Sequence, residues 1–420
     1  MLNCIIGIRF MKQTLLCITI ILTVFCFYAC DSHEYQSPST KVVQDYFSSI
    51  AVLGDQLSLG AGSHPEAVHD RQKAWELLTA QRTLKTDQLL STVFKSLDIK
   101  QTPRNPQVLS FSTREYLGSI FWVVQHFLLG LNRLHLQSPA LSWGYLVSSK
   151  LGYSGDQIYI AAHQGGKIED MSRQIDRVFD AFNGHLPSKV LILFSGNELC
   201  ARHPAFLDSS DHIKGSFSRA LKYLVVNSKS AASQGTQVIV MSYIGLIELL
   251  ADPGILEKEI YAHGEMTTCK DLLKGGYQPP TDKRKEEDLP QESLYFGQVF
   301  PQNPAQVCPT KYAQRLIAQS ELGFFSGLDK QGKERKIQRS VEDQVSHLAS
   351  KVRKIRKALE ATVEETQQWS QQSFPNKKIN FKYVSLEHVT FDKKDVAATC
   401  QHLSLEGQLK IAHAVLAGLQ

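Results

Sequence analysis

Short segments rich in apolar residues alternate along this chain with longer stretches in which apolar residues recur at helical spacing. The short segments, which predict strands, are 49–55, 156–166 (a short strand that runs into a turn), 188–198, 236–246 and 378–386. The periodic stretches, which predict amphipathic helices, are 167–182, 217–233, 340–372 and 404–419. Buried strands that alternate with helices form a parallel sheet covered on both faces. The pattern therefore predicts an α/β fold of three layers, α/β/α, around a central parallel sheet.

Three regions depart from this alternation. Residues 64–110 are polar and helix-prone, and a Ser/Gly-rich break follows Trp143. Residues 251–310 are polar and rich in Pro and Gly, so they predict a long irregular insertion on the surface. A helix near 311–323 is predicted to pair with the helix of 340–372. The insertion and this helix pair therefore separate the fourth predicted strand from the fifth.

The first 30 residues have the organisation of an export signal. Arg9 and Lys12 precede the apolar run 14–29, which has the length of a signal peptide. A transmembrane anchor is the alternative, because this run is only slightly short for a membrane span. Met11 is an alternative start, since residues 1–10 add little to a signal peptide.

The end of this segment, Ala29-Cys30, resembles the lipobox of bacterial lipoproteins. In that class of protein the cysteine is diacylated and becomes the mature N-terminus. The resemblance implies lipidation at Cys30, a polar tether over 31–46, and an exported protein anchored to the membrane on the periplasmic side of a bacterial cell envelope. Residues 47–420 are then predicted to form the folded domain.

The composition is that of a globular protein, with 43% hydrophobic and 21% charged residues. The net charge of +5 is concentrated around 330–357, where acidic residues are interspersed at helical spacing. This arrangement indicates a solvated helix face, not a nucleic-acid site.

Four cysteines lie beyond the leader, and an even count in an exported chain predicts disulfides. No Cys-x-x-Cys or His-x-x-x-His pair indicates a metal, and no cofactor is expected.

Four short stretches follow predicted strands or precede the last helix. They are AVLGDQLSLG (51–60), HQGGKIEDMSRQ (163–174), LFSGNELC (193–200) and TCQHLSLEGQLKIAH (399–413). In order and placement they resemble the sequence blocks of the SGNH, or GDSL, hydrolases. The third stretch is similar to the form found in the phospholipase B-like and acyloxyacyl hydrolase-like branch. The resemblance spans roughly 47–420 and implies a flavodoxin-like sheet with an ester-hydrolase site at the strand ends.

The resemblance also assigns roles to single residues. Gln56 stands where the family carries its nucleophilic serine, and His402 matches the general base. Thr399 stands at the position of the family's aspartate. The Gly165 backbone and the Asn197 side chain match the donors of the oxyanion hole. A glutamine amide cannot form an acyl-enzyme, and a threonine cannot stabilise an imidazolium as a carboxylate does.

Other residues near these positions are candidate replacements. Ser58 follows Gln56 by two residues, but on a helix it is rotated by about 200° and points away from the pocket. Asp395 and Asp392 are candidate substitutes for the missing acid.

The same blocks imply a disulfide pairing. Cys200 follows the third block and Cys400 lies in the fourth quoted stretch, so both loops are expected at the same end of the sheet. This placement favours a Cys200–Cys400 bond and leaves Cys269 and Cys308 to close the insertion.

We therefore expect an exported SGNH-type hydrolase homologue, catalytically impaired, that binds an acyl ester or lipid-like ligand. One alternative is an active esterase or phospholipase-like enzyme that uses Ser58 or a water activated by His402. A second alternative is a non-catalytic scaffold of the cell envelope.

Overall fold

A six-stranded, entirely parallel sheet forms the centre of the computed structural model. The structure describes residues 48–60, 63, 84–109, 138–163, 166–195, 210–229, 235–244, 252–262, 265–270, 325–328, 334–337, 341–397, 400 and 402–420. The strands of this sheet and of two antiparallel hairpins are β1 (Ile50–Gly54), β2 (Gln107–Val108), β3 (Ile158–Ile160), β4 (Lys189–Leu193), β5 (Thr236–Met241), β6 (Glu259–Ala262), β7 (Glu265–Thr268), β8 (Phe325–Leu328), β9 (Glu334–Ile337) and β10 (Ile379–Val384). All five strands predicted from apolar runs are present.

The strand order is β10-β5-β4-β1-β3-β2, with β1 in the middle. Ile50 of β1 is in register with Ile158 of β3 on one side and with Lys189 of β4 on the other. Without the short edge strand β2, this order is the 2-1-3-4-5 order of flavodoxin-like doubly wound sheets. In such sheets, ligands bind beyond the carboxyl ends of the strands where the winding reverses, which here is around β1.

Helices cover both faces of the sheet. The helices are α1 (Leu84–Ser96), α2 (Trp143–Lys150), α3 (Met171–Ala181), α4 (Ser210–Asn227), α5 (Pro253–Leu256), α6 (Val341–Ser373) and α7 (Leu405–Leu419). On one face, α4 packs between α3 and α6, and on the other α2 packs against α7. Every residue of β1 is buried, as expected for a parallel strand between two helical layers. The predicted α/β fold with a central parallel sheet is confirmed.

The amphipathic pattern explains why the predicted helices form where they do. In α3 the buried residues Met171, Gln174, Ile175 and Val178 lie three and four positions apart, which places them on one face. The last helix, α7, begins where the Ser404 side chain accepts a hydrogen bond from the Gly407 amide.

The irregular break predicted after Trp143 was wrong, and the described part of the predicted insertion contains regular elements. The segment after Trp143 is the helix α2, because the Ser142 side chain caps it and its residues are buried on almost every side. The insertion predicted over 251–310 contains the helix α5 and the antiparallel hairpin β6–β7 within its described part. The helix predicted near 311–323 and the predicted leader lie outside the described residues. No helix among the described residues is long and apolar enough to cross a membrane.

Candidate functional site

Gly54 ends β1 in a conformation that only glycine adopts readily. Its φ is +148°, and a Cβ at this position would lie 2.1 Å from the Leu193 carbonyl oxygen of the neighbouring strand β4. The glycine of the Gly-Asp turn is therefore required because two backbones approach each other closely.

Asp55 joins the carboxyl ends of β1 and β4. Its Oδ2 atom accepts hydrogen bonds from the Ser195 amide at 2.7 Å and from the Ser195 hydroxyl at 2.6 Å. Its Oδ1 atom accepts from the Leu57 amide at 3.0 Å. Asp55 is fully buried, and burial raises its pKa to about 6 although these hydrogen bonds oppose the shift. The residue therefore acts as a clamp between two strand ends.

Gln56, at the predicted nucleophile position, lies in a tight turn directly after β1. Successive hydrogen bonds run from the Ser58 amide to the Asp55 carbonyl at 3.0 Å and from the Leu59 amide to the Gln56 carbonyl at 3.2 Å. Hydrogen bonds between residues three apart form a 3₁₀-like turn. The rotation of about 200° expected for Ser58 assumed an α-helix, which is not what this turn forms. Gln56 is 6% exposed. Its amide can accept or donate a hydrogen bond but cannot act as a nucleophile.

Ser58 points into the protein core. It is fully buried, and its hydroxyl donates to the Leu193 carbonyl at 3.4 Å while accepting from the Trp143 indole nitrogen at 3.2 Å. This hydroxyl therefore satisfies the indole nitrogen of Trp143 and is not placed to attack a ligand.

His163, shortly after β3, belongs to the site, although the sequence analysis gave it no role. The Gln174 side chain exchanges two hydrogen bonds with the Gly54 backbone, at 2.8 and 2.9 Å, and its nitrogen also lies 3.2 Å from His163 Nδ1. Because this amide nitrogen donates, His163 Nδ1 accepts, and the ring proton resides on Nε2. That atom faces the Asp170 carboxylate at 3.8 Å. Burial lowers the pKa of His163 to about 4, and Asp170 opposes the shift.

His402 closes a short loop that precedes α7. Val396 and Leu403 form an antiparallel bridge, and the Ala397 amide donates to the His402 carbonyl at 2.8 Å. The residue is 7% exposed, and burial lowers its pKa to about 4. At neutral pH the ring is therefore uncharged, which is the form that can accept a proton.

The Asp395 carboxylate binds residues other than a catalytic base. Its Oδ2 atom accepts from the Asp392 amide at 2.8 Å and from the Lys410 ammonium of α7. Its Oδ1 atom is buried without a hydrogen-bond partner among the described residues. Its carbonyl would lie 2.3 Å from a Cβ at position 407, so Gly407 allows the loop and α7 to approach. Asp392 lies on the surface, and the amide of Lys394 lowers its pKa.

One side chain brings the last helix to the turn that carries Gln56. The Gln408 oxygen accepts from the Trp143 amide at 2.9 Å, and the Gln408 nitrogen donates to the Leu57 carbonyl at 3.2 Å. Gln408 is fully buried, so these bonds replace the water that its amide would otherwise bind. The first and the last quoted stretches therefore meet in the folded protein.

Several predicted residues lie outside the described residues. They are Gly165 and Asn197 of the oxyanion hole, Thr399 at the acid position, Cys30, Cys200 and Cys308. Their roles remain predictions. Within the described ranges, no group of three or more His, Cys, Asp or Glu side chains is arranged to hold a metal ion.

The predicted disulfide pairing was wrong. Cys269 bonds to Cys400, with the two Cα atoms 5.6 Å apart. This bond excludes both Cys200–Cys400 and Cys269–Cys308. The physical reason is that the hairpin β6–β7 places Cys269 against the loop before α7, so the described part of the insertion folds back onto the domain.

These observations define a doubly wound α/β protein with a cluster of buried polar and titratable side chains beyond the central strands. No protein-family model matches the chain, and no curated protein is significantly similar to it. A functional assignment therefore depends on the chemistry of this cluster.

Proposed function

We propose that this protein is an SGNH-type hydrolase homologue, exported as a lipoprotein, that binds an acyl ester or lipid-like ligand and hydrolyses it slowly or not at all. The observation that carries the proposal is that the turn after β1 holds Gln56 in place of a nucleophile and is bonded through Gln408 to α7, the helix that follows the buried, uncharged His402. Gln56 occupies the turn, and the only nearby hydroxyl in it, that of Ser58, is bound to Trp143 and Leu193.

The acid–base chemistry of the site also favours binding over turnover. A general base is most effective when its pKa lies near the working pH, and burial lowers the pKa of His402 to about 4. The Asp395 carboxylate, one candidate for the missing acid, is bound to Lys410 of α7. The pKa of His402 therefore lies well below neutral pH, and the carboxylate of Asp395 is engaged by Lys410.

Two other functions have specific support. The uncharged ring of His402 is able to accept a proton from a water molecule, which is compatible with slow hydrolysis without a serine. The low exposure of both Gln56 and His402, 6% and 7%, favours a closed scaffold with no ligand. Measurements of ester turnover and of ligand binding distinguish these alternatives from the proposed function.

The test introduces the missing nucleophile into the full chain, purified in detergent. We expect Gln56→Ser to hydrolyse p-nitrophenyl butyrate about 10²-fold faster than the unaltered chain, the lower end of what a positioned base contributes. The added change His402→Ala should abolish this gain. The matched controls are Gln371→Ser and His388→Ala, which alter exposed residues of the same types and should change nothing. Binding of a fluorescent lysophospholipid to the unaltered chain is measured in parallel.

Each alternative predicts a different result. Hydrolysis by the unaltered chain that is lost in His402→Ala would identify an active enzyme and refute the proposed impairment. Absence of both lysophospholipid binding and any gain in Gln56→Ser would refute the ligand site and favour the scaffold.

A further inference from the structure

The loop that carries His402 begins and ends at an antiparallel bridge. Its base is the bridge between Val396 and Leu403, and the Ala397 amide donates to the His402 carbonyl across it. At its tip the Cys400 amide donates to the Ala397 carbonyl at 2.9 Å. The backbone conformation at Cys400 therefore influences where the chain re-enters the protein at His402.

Cys400 adopts a conformation that is unfavourable for its residue type. Its φ is +58°, in the left-handed region, where the Cβ of most residues crowds the backbone. Glycine and asparagine adopt this region much more readily. A contact that Cys400 makes outside the loop can stabilise this conformation.

Residues 252–262 and 265–270, which we call the anchor segment, contact the loop at both its tip and its base. Cys269 is bonded to Cys400, and both cysteines are fully buried. The Lys258 ammonium donates to the Val396 carbonyl. Within the anchor segment, the Cys269 amide donates to the Lys258 carbonyl at 2.9 Å, so the two contacts are joined.

The anchor segment is itself held in the domain. Ile255 is 1% exposed, and it lies three residues before Lys258. The carboxylates of Glu406, Asp395 and Asp392 interact favourably with the Lys258 ammonium and oppose the effect of its burial. The anchor segment therefore offers a fixed support to which the loop is attached.

We infer that Cys269 is a positioning residue of the site: through its bond to Cys400 it holds position 400 in the left-handed conformation and thereby keeps the His402 ring buried. The inference depends on the proposed function only because that function makes His402 part of the ligand site. It assigns the described part of the insertion a role in shaping the site.

The experiment measures how fast diethyl pyrocarbonate modifies His402 in the full chain, by mass spectrometry of the peptide that contains it. Two variants remove the disulfide and differ only at position 400: Cys269→Ser with Cys400→Val, and Cys269→Ser with Cys400→Asn. Because valine disfavours the left-handed conformation and asparagine tolerates it, we expect about tenfold faster modification of His402 in the valine variant and little change in the asparagine variant.

The pH dependence of modification provides a second readout, because only an uncharged ring reacts. In the valine variant, the midpoint for His402 should move from about 4 toward its ordinary value of 6.5. Modification of the exposed His388 and of the partly buried His163 should be unchanged in both variants. These two histidines and the near-ultraviolet circular dichroism distinguish a local loop opening from global unfolding.

Equal protection of His402 in all the proteins would overturn the inference, as would equal exposure in the valine and asparagine variants. If the valine variant does not fold, Cys269→Ser alone carries the test, and it should show an intermediate modification rate. No acyl ligand is used, so a failure of this experiment is distinct from a failure of the Gln56→Ser experiment.

Discussion

At the scale of single residues, the hydroxyl of Ser58 contributes to the packing of the core and not to chemistry. We expect Ser58→Ala to lower the free energy of unfolding by about 1–3 kcal/mol, because the buried indole nitrogen of Trp143 loses its acceptor. Ester hydrolysis by the Gln56→Ser protein should be unaffected by the additional change. Chemical denaturation measures the first effect, with the exposed Ser373→Ala as the control. If the protein with both Gln56→Ser and Ser58→Ala folds stably but no longer hydrolyses the ester, Ser58 would instead be identified as the nucleophile.

At the scale of elements, the clamp between β1 and β4 makes stability depend on pH. The pKa of Asp55 is 3.8 in the unfolded chain and about 6 in the folded protein, so the folded state binds this proton more tightly. The stabilisation is fully present below the lower value and is lost as the pH rises through the higher one, a difference of about 3 kcal/mol. His402, whose pKa is lowered on folding, has the opposite dependence.

We therefore expect Asp55→Asn to destabilise the protein more under acidic conditions than at neutral pH. Urea denaturation of both proteins, at a pH below 3.8 and at a pH above 6, measures the difference between their free energies of unfolding. The contribution of His402 is the same in both proteins and cancels in this difference. The exposed Asp180→Asn, on α3, is the matched control. A difference between Asp55→Asn and the unaltered protein that grows with rising pH would contradict the sign of this shift.

At the scale of the whole molecule, the proposed lipid anchor determines where the protein resides. Each buried CH₂ group of an acyl chain contributes about 0.8 kcal/mol to membrane binding, so two chains hold a protein firmly. We expect Cys30→Ser to abolish labelling by radioactive palmitate and to leave the protein without its acyl anchor. Cys26→Ser, within the leader, is the control and should be labelled normally. Firm membrane attachment of an unlabelled Cys30→Ser protein would favour the transmembrane alternative.

The central strands were predictable because burial on both faces requires uninterrupted apolar runs, such as that of β4. The helix α2 was not, because a short helix buried on almost every side has no polar face to reveal its period. The hairpin β6–β7 was missed because its strands are only four residues long and lie between segments that contain Pro and Gly.

The sequence by itself determined the five central strands and the amphipathic helices α3, α4, α6 and α7, because each depends on residues within a few positions of one another. Only the tertiary structure decided which distant groups meet. Asp55 binds Ser195 across 140 residues, Gln408 reaches Leu57 across 351, and Cys269 bonds to Cys400 across 131. Such pairings follow from how the layers pack, and the local sequence around one partner does not predict which residue the other will be. The orientation of Ser58 and the burial of His402 were decided at this level.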